Sequence, residues 1–399
     1  MNVENVEVYS ANAVVASEDL YQRLLTTMRK HLLMDDTDIV DVIVAVYIAH
    51  HFASDPLWLM VIAAASSGKT ELLMPFVGLE DVYILSSLTE NTFISGWEKG
   101  EQSLLHGLKG KVLIMKEFTT VLEMKSEKRA EVLSQLREIY DGRYSKAFGT
   151  GLAVDWAGKV GIIAAVTPVI DQRSSIFNIL GERFIQIRLT PVDSMEVAEK
   201  AMDAVGGEKQ ARGELSSMMA VFCKSILSKG AIPPNVPEAI QTQIAGLASL
   251  CVKARSGVSR DPRSREIAYI PAPEGPARLA KQLLLLAQGL AAVRGRGAVN
   301  DDDFFTVNRV AFDCMPSERA AIIQLFFSRP SLKEADVLAA LGEGARSVIR
   351  RALEDMVILG ILDKDEDLYS FSEETCDFFH HLVPQTPPPR GKHKNFMMF

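Results

Sequence analysis

Leu57-Trp58-Leu59-Met60-Val61-Ile62-Ala63-Ala64-Ala65-Ser66-Ser67-Gly68-Lys69-Thr70-Glu71-Leu72-Leu73 is the stretch whose reading decides the fold. Leu57 to Ile62 is an apolar run of the length of a buried strand. Small residues follow to Gly68, and Glu71-Leu72-Leu73-Met74 opens a helical pattern. Strand, loop and helix in that order make a phosphate-binding loop, whose backbone N–H groups face the anion. Ala63, Ser66, Ser67 and Gly68 form the expected cradle. Lys69 is expected to reach the β/γ-phosphates, and the Thr70 hydroxyl to take a place on Mg²⁺. The pattern G-x-x-x-x-G-K-[ST] carries Ala63 in place of its first glycine, which alanine tolerates if φ stays negative. The competing reading is a chance Gly-Lys-Thr at the start of an ordinary helix. The apolar strand directly before it weighs against that.

The rest of the composition sets bounds. A chain of 399 residues suggests about two or three domains. Hydrophobic content of 48% and charged content of 24% are those of a globular protein. A net charge of −8 argues against a general nucleic-acid coat but leaves room for a local basic element. Cys223, Cys251, Cys314 and Cys376 lie far apart, with no metal-ligand spacing, and read as buried thiols of a reducing compartment. No signal peptide and no apolar run of membrane-spanning length are read, so the expected location is cytoplasmic, with no membrane partner.

Along the chain, helical spacing begins after Ser17, a candidate N-cap, and runs to about Met34. A second helix, Ile39 to about Phe52, is apolar nearly all round and is expected to be buried, with His50 and His51 as charges at its C-terminus. After the loop come two apolar segments, Val82 to Leu85 and Val112 to Met115. The second closes on Lys116-Glu117, where two acidic residues are usual and only Glu117 is acidic. Either Glu117 is the Mg²⁺-side acid, or it is the hydrolytic base; residue type leaves both open. Ser126 to Tyr140 reads as an amphipathic helix. Two strand-like runs flank Gly149-Thr150-Gly151 as a hairpin carrying Arg143, Lys146 and Lys159 against Asp155. Val160 to Val166 is a further buried strand tipped by Thr167-Pro168, and Gly181-Glu182-Arg183-Phe184 leads into a last one.

That order of elements resembles the AAA+ ATPases, in the branch with a hairpin before the first sensor strand. MCM replicative helicases and magnesium chelatases belong to it. The resemblance covers about residues 37 to 313 and is also shared by uncharacterised bacterial and mobile-element ATPases. It implies an α/β parallel-sheet core with a helical lid, ATP and Mg²⁺ as cofactors, and a homo-oligomeric, hexameric ring. It also implies site roles: Thr167 matches the first sensor, usually Asn. Arg183 matches the arginine that acts on a neighbouring subunit's nucleotide. Arg278, in Pro276-Ala277-Arg278-Leu279, matches the second sensor. An ion pair for Arg183, a helix-end role for Arg278 and a plain strand end for Thr167 are the structural alternatives.

The expected domains are a helical segment 1–36, an ATPase core 37–192, a lid 193–313, a winged-helix domain 314–383 and a disordered tail 384–399. In the fourth, Ser331 is expected to cap a helix, and a helix near Ala345 to Leu359 precedes a β-wing. Arg346, Arg350 and Arg351 are its candidate DNA contacts. Against them, residues 316–383 carry seven Lys/Arg and thirteen Asp/Glu, a difference of −6, which favours a protein partner for this module. The leading expectation is an ATP-hydrolysing ring motor that unwinds or remodels DNA, with the hairpin residues Lys146 and Arg143 at the pore. The alternatives are an ATP-dependent switch or chaperone acting on a protein, and a nucleotide-binding scaffold with little turnover.

Overall fold

The computed structural model describes residues 19–34, 36–94, 104–147, 153–173, 183–190, 193–261, 263, 266–269, 274–342 and 346–380. Ser17, the hairpin tip at Gly149-Thr150-Gly151, Glu182 and the tail 384–399 lie outside them. Along the chain β1 (Trp58–Ile62), β2 (Val82–Leu85) and β3 (Val112–Met115) precede a hairpin of β4 (Arg143–Ala147) and β5 (Ala153–Ala157). Then come β6 (Gly161–Val166) and β7 (Phe184–Arg188). All but the hairpin form one five-stranded sheet, in the order β2-β3-β6-β1-β7, with every neighbouring pair parallel. The class is α/β. β1 is buried at each of its five positions, as a strand covered on both faces must be.

Side-chain alternation divides the sheet into two faces. Trp58, Met60, Ile62, Leu113, Met115, Ile162 and Ala164 share one core with Val132, Leu133, Leu136 and Ile139 of the helix Ser126–Tyr140. The helix Asp38–His50, buried at every residue after the first, belongs to the other face, as its all-round apolar character requires. Against it lies Gly289. A Cβ there would stand 2.5 Å from the Ala45 carbonyl oxygen, so the close approach needs glycine.

Five residues further on, Arg294 is buried and fully used. Nε and Nη2 donate to Asp41 Oδ2 at 3.0 and 2.8 Å, Nη1 to Asp303 Oδ1 at 2.9 Å, and Nη2 also to Thr306. Tyr21 donates to the other Asp41 oxygen at 2.5 Å, and Arg296 adds a second contact to Asp303. These bonds explain why the chain divides as it does. The first compact unit takes the described residues up to Val236 together with Leu285–Val307, and the second takes Pro237–Leu284 and the described residues from Asn308.

Within the second unit, β8 (Ser259–Arg260) and β9 (Ile267–Tyr269) form a small antiparallel ribbon. The helices Ser317–Ser328, Glu334–Leu341 and Arg346–Ile358 accompany a three-stranded antiparallel sheet of β10 (Ser331–Lys333), β11 (Leu362–Asp365) and β12 (Leu368–Phe371), ordered β10-β12-β11. Ser331 is therefore a strand residue and not a helix cap. Leu332 is buried opposite Tyr369, and the cap bond is made two residues later, from the Lys333 N–H to Asp336. No helix among the described residues is long and apolar enough to cross a membrane.

His50 departs from its expected role as a helix-end charge. It is buried, with Nε2 donating to the Gly110 carbonyl and Nδ1 without a hydrogen bond among the described residues. Burial first, then the Lys159 charge, lower its pKa from the ordinary 6.5 to about 4. The folded ring is neutral where the unfolded one is protonated. Stability from this group is thus complete above pH 6.5 and declines as pH falls toward 4, by at most about 3 kcal/mol. His50→Gln keeps a donor for Gly110 and cannot titrate. Its unfolding free energy, measured by urea titration, should fall less than wild type's between pH 6.5 and 4. Parallel slopes would remove His50 from the acid response.

Candidate functional site

The loop after β1 is shaped by a few backbone demands. The Ala63 N–H donates to the Val166 carbonyl at 3.2 Å, so the first loop residue still belongs to the ladder. Ala63 keeps a negative φ, since Ser66 and Glu366 are the non-glycine residues with positive φ among those described. That is why alanine serves where the pattern has glycine. The left-handed positions are Ser66, at φ 61°, and Gly68, at φ 82°. Among the described residues a Cβ at Gly68 would meet nothing within 4 Å, so its conformation, not crowding, calls for glycine. Serine in the left-handed region costs about 1–3 kcal/mol, a strain of the kind stored at functional loops. Ala64, Ala65, Ser66, Gly68 and Thr70 are exposed, while the half-buried Ser67 donates to the Ala64 carbonyl at 2.7 Å.

Lys69 is turned into this loop. Its Nζ donates to the carbonyls of Ala63 and Ala64 at 2.5 and 2.6 Å, and the side chain is buried. Burial lowers its pKa, and the Glu117 charge opposes that shift. Glu117 reaches the same end of the sheet by topology. β6 lies between β1 and β3, and the Phe118 N–H donates to the Ala165 carbonyl at 2.8 Å, which fixes the exit of β3. Glu117 Oε1 is buried and accepts no hydrogen bond among the described residues. A carboxylate oxygen with an open lone pair at this end of the sheet is equipped to take a proton from water or to hold a cation.

Thr167, at the end of β6, stands between them. Its N–H donates to Thr119 Oγ1 at 3.0 Å, and the two hydroxyls are 3.2 Å apart. Thr119 is buried, and sequence reasoning passed over it because it sits in an unremarkable Phe-Thr-Thr run. A second missed pair is Arg188 with Asp171, whose bonds of 2.7 and 2.8 Å join the end of β7 to the 3₁₀ turn after Thr167. Only the register, Ile62 opposite Arg188, reveals that this pair lies at the phosphate-loop end.

The fit of Mg²⁺ follows from the oxygen donors. Mg²⁺ takes one or two carboxylates together with substrate phosphates and waters. Here Thr70 and Glu117 supply oxygens, but the position before Glu117 bears the half-buried ammonium of Lys116. Lys116 makes no ion pair among the described residues, so its charge is uncompensated next to the one carboxylate. No group of three or more His, Cys, Asp or Glu side chains converges among them. Two oxygen donors beside an ammonium leave a divalent cation here dependent on the nucleotide's own phosphates.

Within the first unit, Arg183 lies apart from the loop. Arg183 precedes β7 at the end where Trp58 begins β1, about 17 Å of strand from the loop. It is buried, paired with Asp141 at 2.8 Å and set over the Tyr140 ring. Arg278 belongs to the second unit and pairs with Glu274 at 2.7 Å. On the hairpin, Lys146 shares the inward face of Tyr144 and Trp156 and binds Glu131 at 3.0 Å. Arg143 lies on the exposed face, with no ion pair among the described residues. Lys159 is spent internally: its Nζ donates to the Phe52 carbonyl, and burial lowers its pKa to about 8. Arg350 is bound by Glu334, whereas Arg346 and Arg351 are exposed and make no ion pair among the described residues.

No known family model matches the chain, and no curated protein is similar enough to count as a relative. The architecture by itself is an α/β unit with an all-parallel sheet, compatible with a phosphate-loop core.

Thr119→Val should reduce the unfolding free energy by about 1 kcal/mol, because it removes the buried Thr119 hydroxyl that accepts from the half-buried Thr167 N–H, and Thr119→Ser should recover most of that. Denaturant titration decides it: a valine variant as stable as wild type would show that the threonine pair carries no weight.

Proposed function

We propose that the first unit binds a nucleoside triphosphate, ATP in the first instance, on the loop Ala63 to Thr70 and hydrolyses it slowly, as an AAA+-type ATPase. The observation that carries this is the pairing of two groups at one end of the sheet. A buried lysine is folded onto its loop carbonyls, and Glu117 leaves a carboxylate oxygen without a hydrogen bond among the described residues. On binding, the Lys69 ammonium exchanges those carbonyls for phosphate oxygens, and the loop N–H groups take others. Glu117 accepts the proton of a water whose oxygen attacks the γ-phosphorus, and the β–γ bridging bond breaks as the diphosphate leaves. Thr167, fixed by Thr119, lies beside that water. Arg183 starts at the far end of the sheet, so it meets a nucleotide only in another copy, which supports a ring of subunits. In that ring the Asp141 pair exchanges for the neighbour's phosphate.

Lys69→Ala should lower nucleotide affinity by about 10²-fold or more, while Glu117→Gln should bind normally and lose nearly all turnover. Equilibrium titration with a fluorescent ATP analogue and a phosphate-release assay read the two effects. Unchanged affinity in the lysine variant would end the phosphate-loop assignment, and normal turnover in the glutamine variant would remove Glu117 from the chemistry.

A DNA-remodelling role is the second reading, favoured by the exposed cations Arg143, Arg346 and Arg351. In the second unit, the sequence of helix, β10, two helices and the β11–β12 hairpin supports a winged helix with Arg346 at the start of its third helix. DNA contacts of this kind are to phosphates and weaken with salt. Replacing Arg143, Arg346 and Arg351 together by alanine should weaken single-strand or duplex binding at low salt, and Lys146→Ala should change it little. If wild type binds neither DNA, the acidic second module points to a protein partner instead.

A further inference from the structure

We infer that this site holds its nucleoside triphosphate without a divalent cation, with the Lys116 ammonium taking the metal's place beside the phosphates. The inference rests on the nucleotide-binding reading above and goes beyond it. Its starting point is alternation along β3, carried one residue past the strand's end. Leu113 and Met115 belong to the core on the Trp58–Met60–Ile62 face, which puts Ile114 on the opposite face; the Lys116 N–H continues the ladder to the Leu85 carbonyl, so Lys116 follows Ile114 there. The phosphate-loop helix, Lys69–Leu73, is on that opposite face. The turn that continues it places Phe76 against Tyr47 of the helix Asp38–His50, ring centroids 5.6 Å apart. Lys116 and Thr70 therefore share both a sheet end and a face.

Only β6 separates their strands, so the two strand exits are about 10 Å apart. A lysine side chain and a triphosphate fill that gap together. The Lys116 backbone is fixed by its N–H bond to the Leu85 carbonyl at 3.2 Å, while its half-buried side chain has no counter-ion among the described residues. A carboxylate at this position would recruit a divalent cation to the phosphates. An ammonium repels that cation and attracts the phosphates directly, as a point charge with three donors. Glu117 then keeps its open oxygen for water rather than for a metal.

The test is equilibrium titration of the full chain with a fluorescent ATP analogue, once in excess Mg²⁺ and once in EDTA. Wild type should bind in EDTA within about threefold of its affinity in Mg²⁺. Lys116→Met should lose about tenfold or more in EDTA, and Lys116→Arg should retain the wild-type pattern. Lys116→Asp should bind well only with Mg²⁺ added. Circular dichroism confirms that each variant is folded; should the aspartate variant unfold, the methionine–arginine comparison carries the test. Wild-type binding that disappears in EDTA overturns the inference and leaves the phosphate loop intact. Lys116→Met binding equal to wild type in EDTA also overturns it. Absence of binding in both buffers removes the nucleotide-binding reading itself, and this inference with it.

Discussion

The arrangement depends on one constraint: β1 is apolar throughout, and parallel neighbours occupy both of its edges. Parallel ladders bring the C-terminal ends of all strands to one side. Once β6 and β7 pair with β1, the exits of β1, β3, β6 and β7 must meet there. Lys69, Glu117, Thr167 and Arg188 come from four separate stretches of chain, yet no long loop is needed to gather them. The same constraint sends Arg183 to the opposite side, because it precedes its strand instead of following it.

Two kinds of buried charge coexist in the first unit, and the difference between them is informative. Arg294 is saturated, with all three nitrogens engaged by carboxylates, a carbonyl or a hydroxyl. A network completed in this way rigidifies what it joins. Lys69 and Glu117 are not completed. The lysine borrows loop carbonyls, the glutamate leaves an oxygen open, and Ser66 beside them holds a left-handed backbone. Folding alone gives no reason to retain that combination, whereas an anionic ligand and a water would satisfy it.

Much of the fold was legible because the strands are short apolar runs punctuated by turns. Val112 to Met115 and the helix Ser126–Tyr140 lie where their patterns predict them. What escaped is what pattern cannot encode. Ser331 looks like a cap until Leu332 is seen to need a partner strand, and that partner, Tyr369, is far away in sequence. His50 looks like a helix-end charge until the sheet closes over it. Lys146 looks available because of its type, but β4 alternation turns it toward Glu131 and turns Arg143 outward. Of the site, the loop and Glu117 were visible as motif positions. Thr119 and the Arg188–Asp171 pair were not, since their meaning lies in strand register.

The tie between Asp41 and Arg294 bears on how the protein can be taken apart. The two residues are 253 positions distant, yet they form one buried ion pair. A fragment cut at Val236 would retain the Asp41 carboxylate and lose its cation, and a carboxylate orphaned in this way costs about 3–5 kcal/mol. The phosphate-loop half is consequently not a removable cassette. A working excision has to carry Leu285–Val307 with it, grafted behind Val236 by a short linker, with Gly289 kept to meet Ala45. Dissection along the linear order of motifs would divide a unit that the chain assembles from two separated stretches.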